Sequence, residues 1–290
     1  MTQSLSLDSL AAVRIVLVAP AGPLNVGSVA RVMKNFGLSQ LVLVTPQCDP
    51  LGAEALQMAV HADDILRAAR QVETIPEALA GCDRAIATTA RTRGFNAPLQ
   101  LPEIVLPTLL SLPSPPSLPL TPVTERSHSA IPVTERSRSA LLFGPEDRGL
   151  SNEELIYAQA FTKIPTSDTY SALNLAQAVA ICCYELYRAS QPRQTPAASL
   201  QNIPPSAKQT ESNQENLASL DELEGYYQHL ETVLLKVEYL YPHTAASRMR
   251  KLRQLLHRTS PTVQEVALLR GMLRQIEWAL SNVSNADRTS

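Results

Sequence analysis

The feature that most constrains this chain is a repeated punctuation: a short apolar run breaks at Gly, Pro, Ser or Thr and the chain restarts as a helix. The first instance is V-R-I-V-L-V-A (13–19), then P-A-G-P, then L-N-V-G-S-V-A-R-V-M-K-N-F-G. The run reads as a buried strand. Residues 25–36 place Val29, Val32, Met33 and Phe36 at helical spacing, with Gly37 as the stop. L-V-L-V (41–44) predicts a second strand, 52–59 and 65–80 predict helices, and R-A-I-A-T-T (84–89) predicts a third strand ending in small polar residues. Such alternation specifies an α/β fold with a parallel sheet. In that architecture the corners at 19–31, 87–93, 143–149 and 164–174 gather at the carboxyl edge, where ligands bind.

The alternation stops from Leu106 to Ala140. This Pro- and Ser-rich stretch contains P-V-T-E-R-S-H-S-A (122–130) and its near-copy P-V-T-E-R-S-R-S-A (132–140). With so few large apolar side chains, about 112–139 reads as a disordered surface insertion rather than a docking or phosphorylation segment. A-L-L-F (140–143) then predicts a strand, and Ser151 with Glu154 a capping box. F-T-K-I-P (161–165) predicts another short strand. Residues 170–188 predict a helix facing inward through Leu173, Ala176, Ala180 and Tyr184.

The expected organisation is an α/β domain over 1–189, a linker over 190–218 and a helical domain over 219–290. Its helices begin at the Ser219/Glu222 cap, near 245–257, and at the Thr262/Glu265 cap, the last running through Trp278.

The 290 residues suit two such units. A net charge of -2 means that any nucleic-acid contact must come from local patches. The four cysteines have neither metal-ligand spacing nor disulfide-scaffold density, and no run approaches the ~18 apolar residues of a membrane span. The start of the chain lacks the pattern of a signal peptide. These features predict a cytoplasmic protein.

The corners offer close backbone approach but few acids or histidines. There is no Ser-His-Asp set, no His/Cys cluster, and no paired carboxylate beyond Glu146-Asp147. Gly22 to Gly27 lacks the Gly-Lys-Ser/Thr of a phosphate-binding P-loop and the three glycines of a dinucleotide fingerprint. A chemistry of alignment fits better, and in-line methyl transfer is one. His61, His229, His243 and His257 have no partner spacing and carry no assigned chemistry.

Three segments in order then carry a resemblance: N-V-G-S-V-A-R-V-M-K-N-F-G, L-L-F-G-P-E-D-R-G-L-S-N-E-E-L and I-P-T-S-D-T-Y-S-A-L-N-L-A-Q-A-V-A. They resemble the motifs of the SpoU/TrmH group of SPOUT RNA 2′-O-methyltransferases. L-L-K-V-E-Y-L-Y-P-H-T-A-A-S-R-M and L-R-G-M-L-R-Q-I-E-W are similar to the carboxyl-terminal extension of its TrmJ subgroup, which methylates the pyrimidine ribose at position 32 of the tRNA anticodon loop. The resemblance implies a trefoil-knotted sheet, a homodimer with a composite active site, S-adenosylmethionine as cofactor, tRNA as substrate and no metal. Ribosomal RNA is the alternative substrate within the group, and a non-catalytic RNA-binding relative the alternative outside it.

By position, the resemblance implies cofactor contacts from Thr88, Thr89, Ala90, Gly144, Ile164, Ser171, Ala172 and Leu173. Asn25, Arg31, Glu146 and Asn174 match its polar functional positions. Arg31 would lie beside the attacking 2′-hydroxyl, orienting it or accepting its proton, although a guanidinium is a poor base in water. Asn25 also reads as a helix N-cap. Many members carry Ser-Leu-Asn where this chain has Ala172-Leu173-Asn174. The acid-free segment 248–258 offers Arg248, Arg250, Lys251, Arg253 and Arg258, either as an RNA-contacting strip or as the solvated face of a helix.

Overall fold

The computed structural model describes residues 9–89, 98–110, 139–191, 217–257 and 259–286. The core of the insertion, most of the linker, Ala90 and Arg258 lie outside the described residues. Seven parallel strands form one sheet in the order β3-β2-β1-β6-β4-β7-β5. They are β1 (Val13–Val18), β2 (Gln40–Val44), β3 (Arg70–Val72), β4 (Arg84–Thr88), β5 (Leu99–Gln100), β6 (Ser139–Phe143) and β7 (Ala160–Thr162). Each late strand enters between two earlier ones: β6 pairs with both β1 and β4, and β7 with both β4 and β5.

Alternation along the strands builds two cores. Ile15, Leu17, Leu43, Ile86, Leu141 and Phe143 point into one, under the helices α1 (Pro23–Asn35), α2 (Ala53–Ala59), α3 (Asp63–Ala68) and α7 (Leu175–Ser190). At Gly27 an added Cβ would lie 2.1 Å from the Ala55 carbonyl oxygen, so this glycine permits the close contact of α1 with α2. Gly27 therefore serves packing, although it sits inside the first motif.

Val16, Val42, Ala85, Ala87, Ala140 and Leu142 face the other core, together with α4 (Ile75–Leu79) and α6 (Asn152–Leu155). The carboxyl-terminal helices α8 (Leu220–Lys236), α9 (Pro242–His257) and α10 (Val263–Ala286) extend this core through Leu223, Tyr227, Met249 and Val266. Their attachment includes Leu220 N–H donating to the Cys82 carbonyl at 2.9 Å and Gly81 N–H donating to Asp221 at 2.8 Å. Buried Arg14 reaches across from β1 to the carbonyls of Ala78 and Ala80.

Four expectations change. The helix expected over 65–80 is broken, because Arg70–Val72 pairs with β2 as a short strand before Ile75–Leu79 resumes. Periodicity does not register an edge strand of three residues. Residues from Leu106 are not yet insertion: Pro102–Val105 forms the short helix α5, followed by a 3-10 turn that buries Leu106 and Leu109. The last strand before the second motif starts at Ser139, which is fully buried. The helix expected over 170–188 begins at Leu175 and buries Leu175, Val179, Cys182, Cys183 and Leu186, leaving Tyr184 50% exposed. Asn174 stops propagation toward 170 by accepting from the backbone N–H groups of Ala176 and Gln177. The capping boxes at Ser151 and Ser219 form as expected.

Candidate active site at the carboxyl edge of the sheet

The four corners singled out in the sequence follow β1, β6, β4 and β7, which are consecutive neighbours in the sheet. Their loops therefore converge. Ala19 leaves β1 with φ +46°, a left-handed backbone costing an alanine about 1 kcal/mol, and its N–H donates to the Val44 carbonyl. That bend aims Pro20–Gly22 over the exit of β6. At Gly144 an added Cβ would lie 2.2 Å from the Leu150 nitrogen, because residues 145–149 fold back over it. Gly149, at φ +66°, donates to the Pro145 carbonyl and closes this loop.

Under the loop lies a cleft of about 360 Å³ lined by Thr88, Thr89, Gly144, Ile164, Ser171, Ala172 and Leu173. These are seven of the eight residues to which the resemblance assigned cofactor contacts; the eighth, Ala90, is outside the described residues. Phe143, Leu150 and Leu175 add apolar wall, and Glu146, Asp147 and Arg148 add charge. The Thr88 hydroxyl donates to the Leu142 carbonyl, and Thr89 N–H to the Thr162 carbonyl. Both threonines thus tie the β4 exit to its neighbours as well as lining the cleft.

Beside the cleft the three motifs join through side chains. Glu146 accepts from Ala21 N–H and Gly22 N–H, each at 3.1 Å, and from the Asn25 amide at 2.8 Å. Asn25 Oδ1 accepts from Asn174 Nδ2 at 2.8 Å. Partial burial pulls the Glu146 carboxyl upward. The Asn25 amide and the backbone donors of Ala21, Glu146 and Gly22 outweigh it, so its pKa lies below the ordinary carboxylate value. An ionised carboxylate only accepts, which turns the Asn25 NH2 toward it. Asn25 must then offer its oxygen to Asn174, whose own oxygen caps α7. Both amide orientations follow from one charge and one helix terminus.

Asn25 is not the N-cap expected from the sequence. Pro23 starts α1, Gly22 is its N-cap, and Asn25 lies within the first turn. Gly22 is short for a reason: a Cβ there would come within 2.9 Å of the Asn25 amide nitrogen and 3.2 Å of Glu146 Oε1. Arg31 is not gathered into this cluster. Six residues beyond Asn25 it lies about 9 Å further along α1 and leaves the helix about 120° away, exposed to solvent.

The structure also divides the basic segment. Arg248 and Lys251 are exposed and Arg250 half-buried, whereas Arg253 is 8% exposed. Arg253 donates to both oxygens of Glu224, at 2.5 and 2.9 Å, and its guanidinium lies over the rings of Tyr227 (4.4 Å) and Tyr157 (5.7 Å). This arginine fastens α9 to α8 and to Tyr157, beyond the Glu146 loop, and is committed to that interior. His257 stands beside it at 8% exposure. Burial and the Arg253 charge push its pKa down to about 4 against the pull of the Ala158 backbone and Glu224. The sequence reading missed both as parts of one buried group; the signal available was the i, i+4 stripe Ala245, Met249, Arg253, His257. Among the described residues no three His, Cys, Asp or Glu side chains cluster as a metal site requires, and no helix is long and apolar enough to cross a membrane.

The SpoU rRNA methylase family matches residues 12–184, and the C-terminal domain of the tRNA methyltransferase TrmJ matches residues 221–288. The tRNA (cytidine/uridine-2′-O-)-methyltransferase TrmJ of Cronobacter sakazakii is 36% identical over 268 residues, 91% of this chain and 96% of that protein. The tRNA (cytidine/uridine/adenosine-2′-O-)-methyltransferase TrmJ of Pseudomonas aeruginosa is 36% identical over 94% of this chain and 96% of its own length. The crystal structure of TrmJ from Z. mobilis ZM4 superposes with a TM-score of 0.71 at 31% identity, covering 91% of this chain and 98% of that one. A probable methylase family protein from Haemophilus influenzae superposes with a TM-score of 0.52 at 27% identity, covering 94% and 99%.

Proposed function

The chain belongs to the SpoU methylase family, with a carboxyl-terminal domain of the TrmJ type, and from that premise we propose that it is an S-adenosylmethionine-dependent tRNA ribose 2′-O-methyltransferase. The observation that carries this reading is the Glu146–Asn25–Asn174 bridge, which joins all three motif segments at the edge of the cleft. The TrmJ relatives, named as tRNA 2′-O-methyltransferases and matched over nine-tenths of this chain, support the substrate class. The finer target is the pyrimidine at position 32 of the anticodon loop.

The cleft suits the cofactor. Leu150, Ile164 and Leu173 offer apolar surface for a purine, the loops at Gly144 and Ser171–Leu173 bring backbone close, and the volume lies within the range of small-molecule sites. When bound there, S-adenosylmethionine supplies a methyl group activated by a sulfonium. The residues of this chain then provide alignment. Glu146, an anion with three donors already aimed at it, holds Asn25 and the Pro20–Gly22 corner in register with the cleft. It does not act as a base. Asn174 fixes the start of α7 and the Ser171–Leu173 wall. Arg31 would offer its fork of donors to the ribose 2′-oxygen and the adjacent phosphate, and the 2′-hydroxyl proton would pass to solvent water.

Arg31 acts within the composite site of a homodimer. Exposed Ile181 and Tyr184 on α7 support the dimer, as does Phe36, whose ring packs 6.1 Å from Tyr184 and 5.8 Å from Tyr187. The entry of β6 and β7 between earlier strands is compatible with the proposed trefoil threading. The proposal further includes metal-free transfer, a cytoplasmic setting, and the division into a domain of 1–189, a linker of 190–218 and a helical domain of 219–290.

The test is transfer of labelled methyl from S-adenosylmethionine to unmodified tRNA transcripts, with the modified nucleotide mapped. Label on the ribose of nucleotide 32 is the expected result. Label on ribosomal RNA alone would keep the chemistry and replace the substrate. Label on neither would leave an RNA-binding relative.

A further inference from the structure

Tyr239 and Tyr241, at the turn into α9, are 57% and 48% exposed. Between them Leu240 is 1% exposed, which pins the turn to the core and leaves the two rings outside. Both rings are held. Arg248 donates to the Tyr239 carbonyl at 2.6 Å and its guanidinium lies 5.6 Å from the centre of the Tyr239 ring. Tyr241 stacks on His243 at 6.0 Å with the ring planes 20° apart. Arg248 and Lys251 share the exposed face of the helix that follows, and 242–257 contains no acid.

The opposite face of α9 is buried at Ala245, Met249, Arg253 and His257. The exposed rings and cations are therefore carried on a helix whose other side is fixed by the Arg253–Glu224 pair. Preorganised aromatic faces beside the cations of an acid-free helix are what single-stranded nucleic acid recognises: bases stack on rings, and phosphates meet the charges. A duplex hides its base faces and would find only the cations.

We propose that Tyr239 and Tyr241, with Arg248 and Lys251, form a stacking platform for unpaired nucleotides of the RNA substrate. The platform rests on the RNA-modifying reading above and deepens it by naming the form of RNA that the carboxyl-terminal helices receive. It predicts a preference for single strands that the cleft residues do not supply.

The experiment titrates the full-length protein with a fluorescein-labelled unstructured oligoribonucleotide of twelve residues, and in parallel with a duplex of equal phosphate count. A Tyr239→Leu/Tyr241→Leu variant is expected to lose roughly tenfold in affinity for the single strand and less than twofold for the duplex. Tyr239→Phe/Tyr241→Phe, which keeps the rings, retains wild-type affinity. Lys251→Gln weakens both probes and flattens the salt dependence of single-strand binding by about 0.7 in log–log slope. Matching urea melts exclude misfolding, and the double Phe variant provides a second, conservative reading of the same site.

Unchanged single-strand affinity in the Leu variant overturns the platform. So does equal loss on both probes, or a wild-type protein that binds neither. Ring-dependent single-strand binding without methyl transfer to tRNA supports the platform while removing the proposed reaction, so the two fail separately.

Discussion

Two polar clusters in this molecule use similar chemistry to opposite ends. At the carboxyl edge of the sheet, Glu146, Asn25 and Asn174 form a chain of hydrogen bonds on an accessible surface beside a cleft. Between the sheet and the carboxyl-terminal helices, Glu224 and Arg253 form a two-point ion pair, flanked by Tyr157, Tyr227 and His257 and largely removed from solvent. The first cluster orders loops whose backbones lie near a ligand-sized space. The second carries two buried charges that satisfy each other. A buried charge with its partner removed is costly, whereas an exposed one is cheap to lose. The two clusters should therefore separate in stability and activity measurements.

The largest effect is expected at the buried pair. Arg253→Ala strands Glu224 and should cost about 3–5 kcal/mol in urea unfolding. The double variant Arg253→Met/Glu224→Leu should recover most of that loss, because no charge then remains unpaired. Failure of the double variant to recover would mean that stacking on Tyr157 and Tyr227 outweighs the ion pair.

His257 gives the next effect. Its folded pKa of about 4 lies below its ordinary value near 6.5, so protonation favours the unfolded chain. Its contribution is complete above pH 6.5 and falls away as the pH drops toward 4, by about 3 kcal/mol in all. The carboxylates with depressed values, Asp64, Glu146, Glu154, Glu224 and Glu277, destabilise only at lower pH as they protonate. Stability measured between pH 7 and 4.5 should thus decline in the wild type and stay nearly flat in a folded His257→Gln variant.

At the sheet edge the pattern should invert. Arg31→Ala should lower methyl transfer by at least about 100-fold while moving stability by less than about 0.5 kcal/mol, since the side chain is exposed. Cofactor affinity, read by calorimetry, should stay within about twofold. A stability loss comparable to that of Arg253→Ala would erase the distinction between the clusters. Asn174→Ala joins both roles in a smaller measure: loss of the α7 cap should cost about 1 kcal/mol, and release of Asn25 should slow transfer by about tenfold.

The sequence made these clusters unequally legible. Glu146, Asn25 and Asn174 sit in short motifs at strand-to-helix corners, and small turn-forming residues around them announce a constrained backbone. Arg253 sits in a run of cations, where its neighbours advertise a solvated surface. Only its i+4 relation to Met249 and His257 hinted that it points inward. Asn25 was misread locally for a similar reason: an asparagine near a helix start usually caps it, but Pro23 moves the start earlier and a distant carboxylate takes the amide.

The sequence by itself determined the parallel α/β class, the corners that carry the site, the capping boxes at Ser151 and Ser219, and the three helices of the tail. Those features arise from periodicity and from residues acting on neighbours within a few positions. Tertiary structure decided which corners meet, because β6 enters between β1 and β4, an arrangement that connections through 111–138 leave open at the level of sequence. It decided that 70–72 is an edge strand, that Gly27 serves helix packing, and that one arginine in a basic run is interior while others remain outside. In each case the outcome depends on a partner between 28 and 126 residues away, and local propensity carries no record of such a partner.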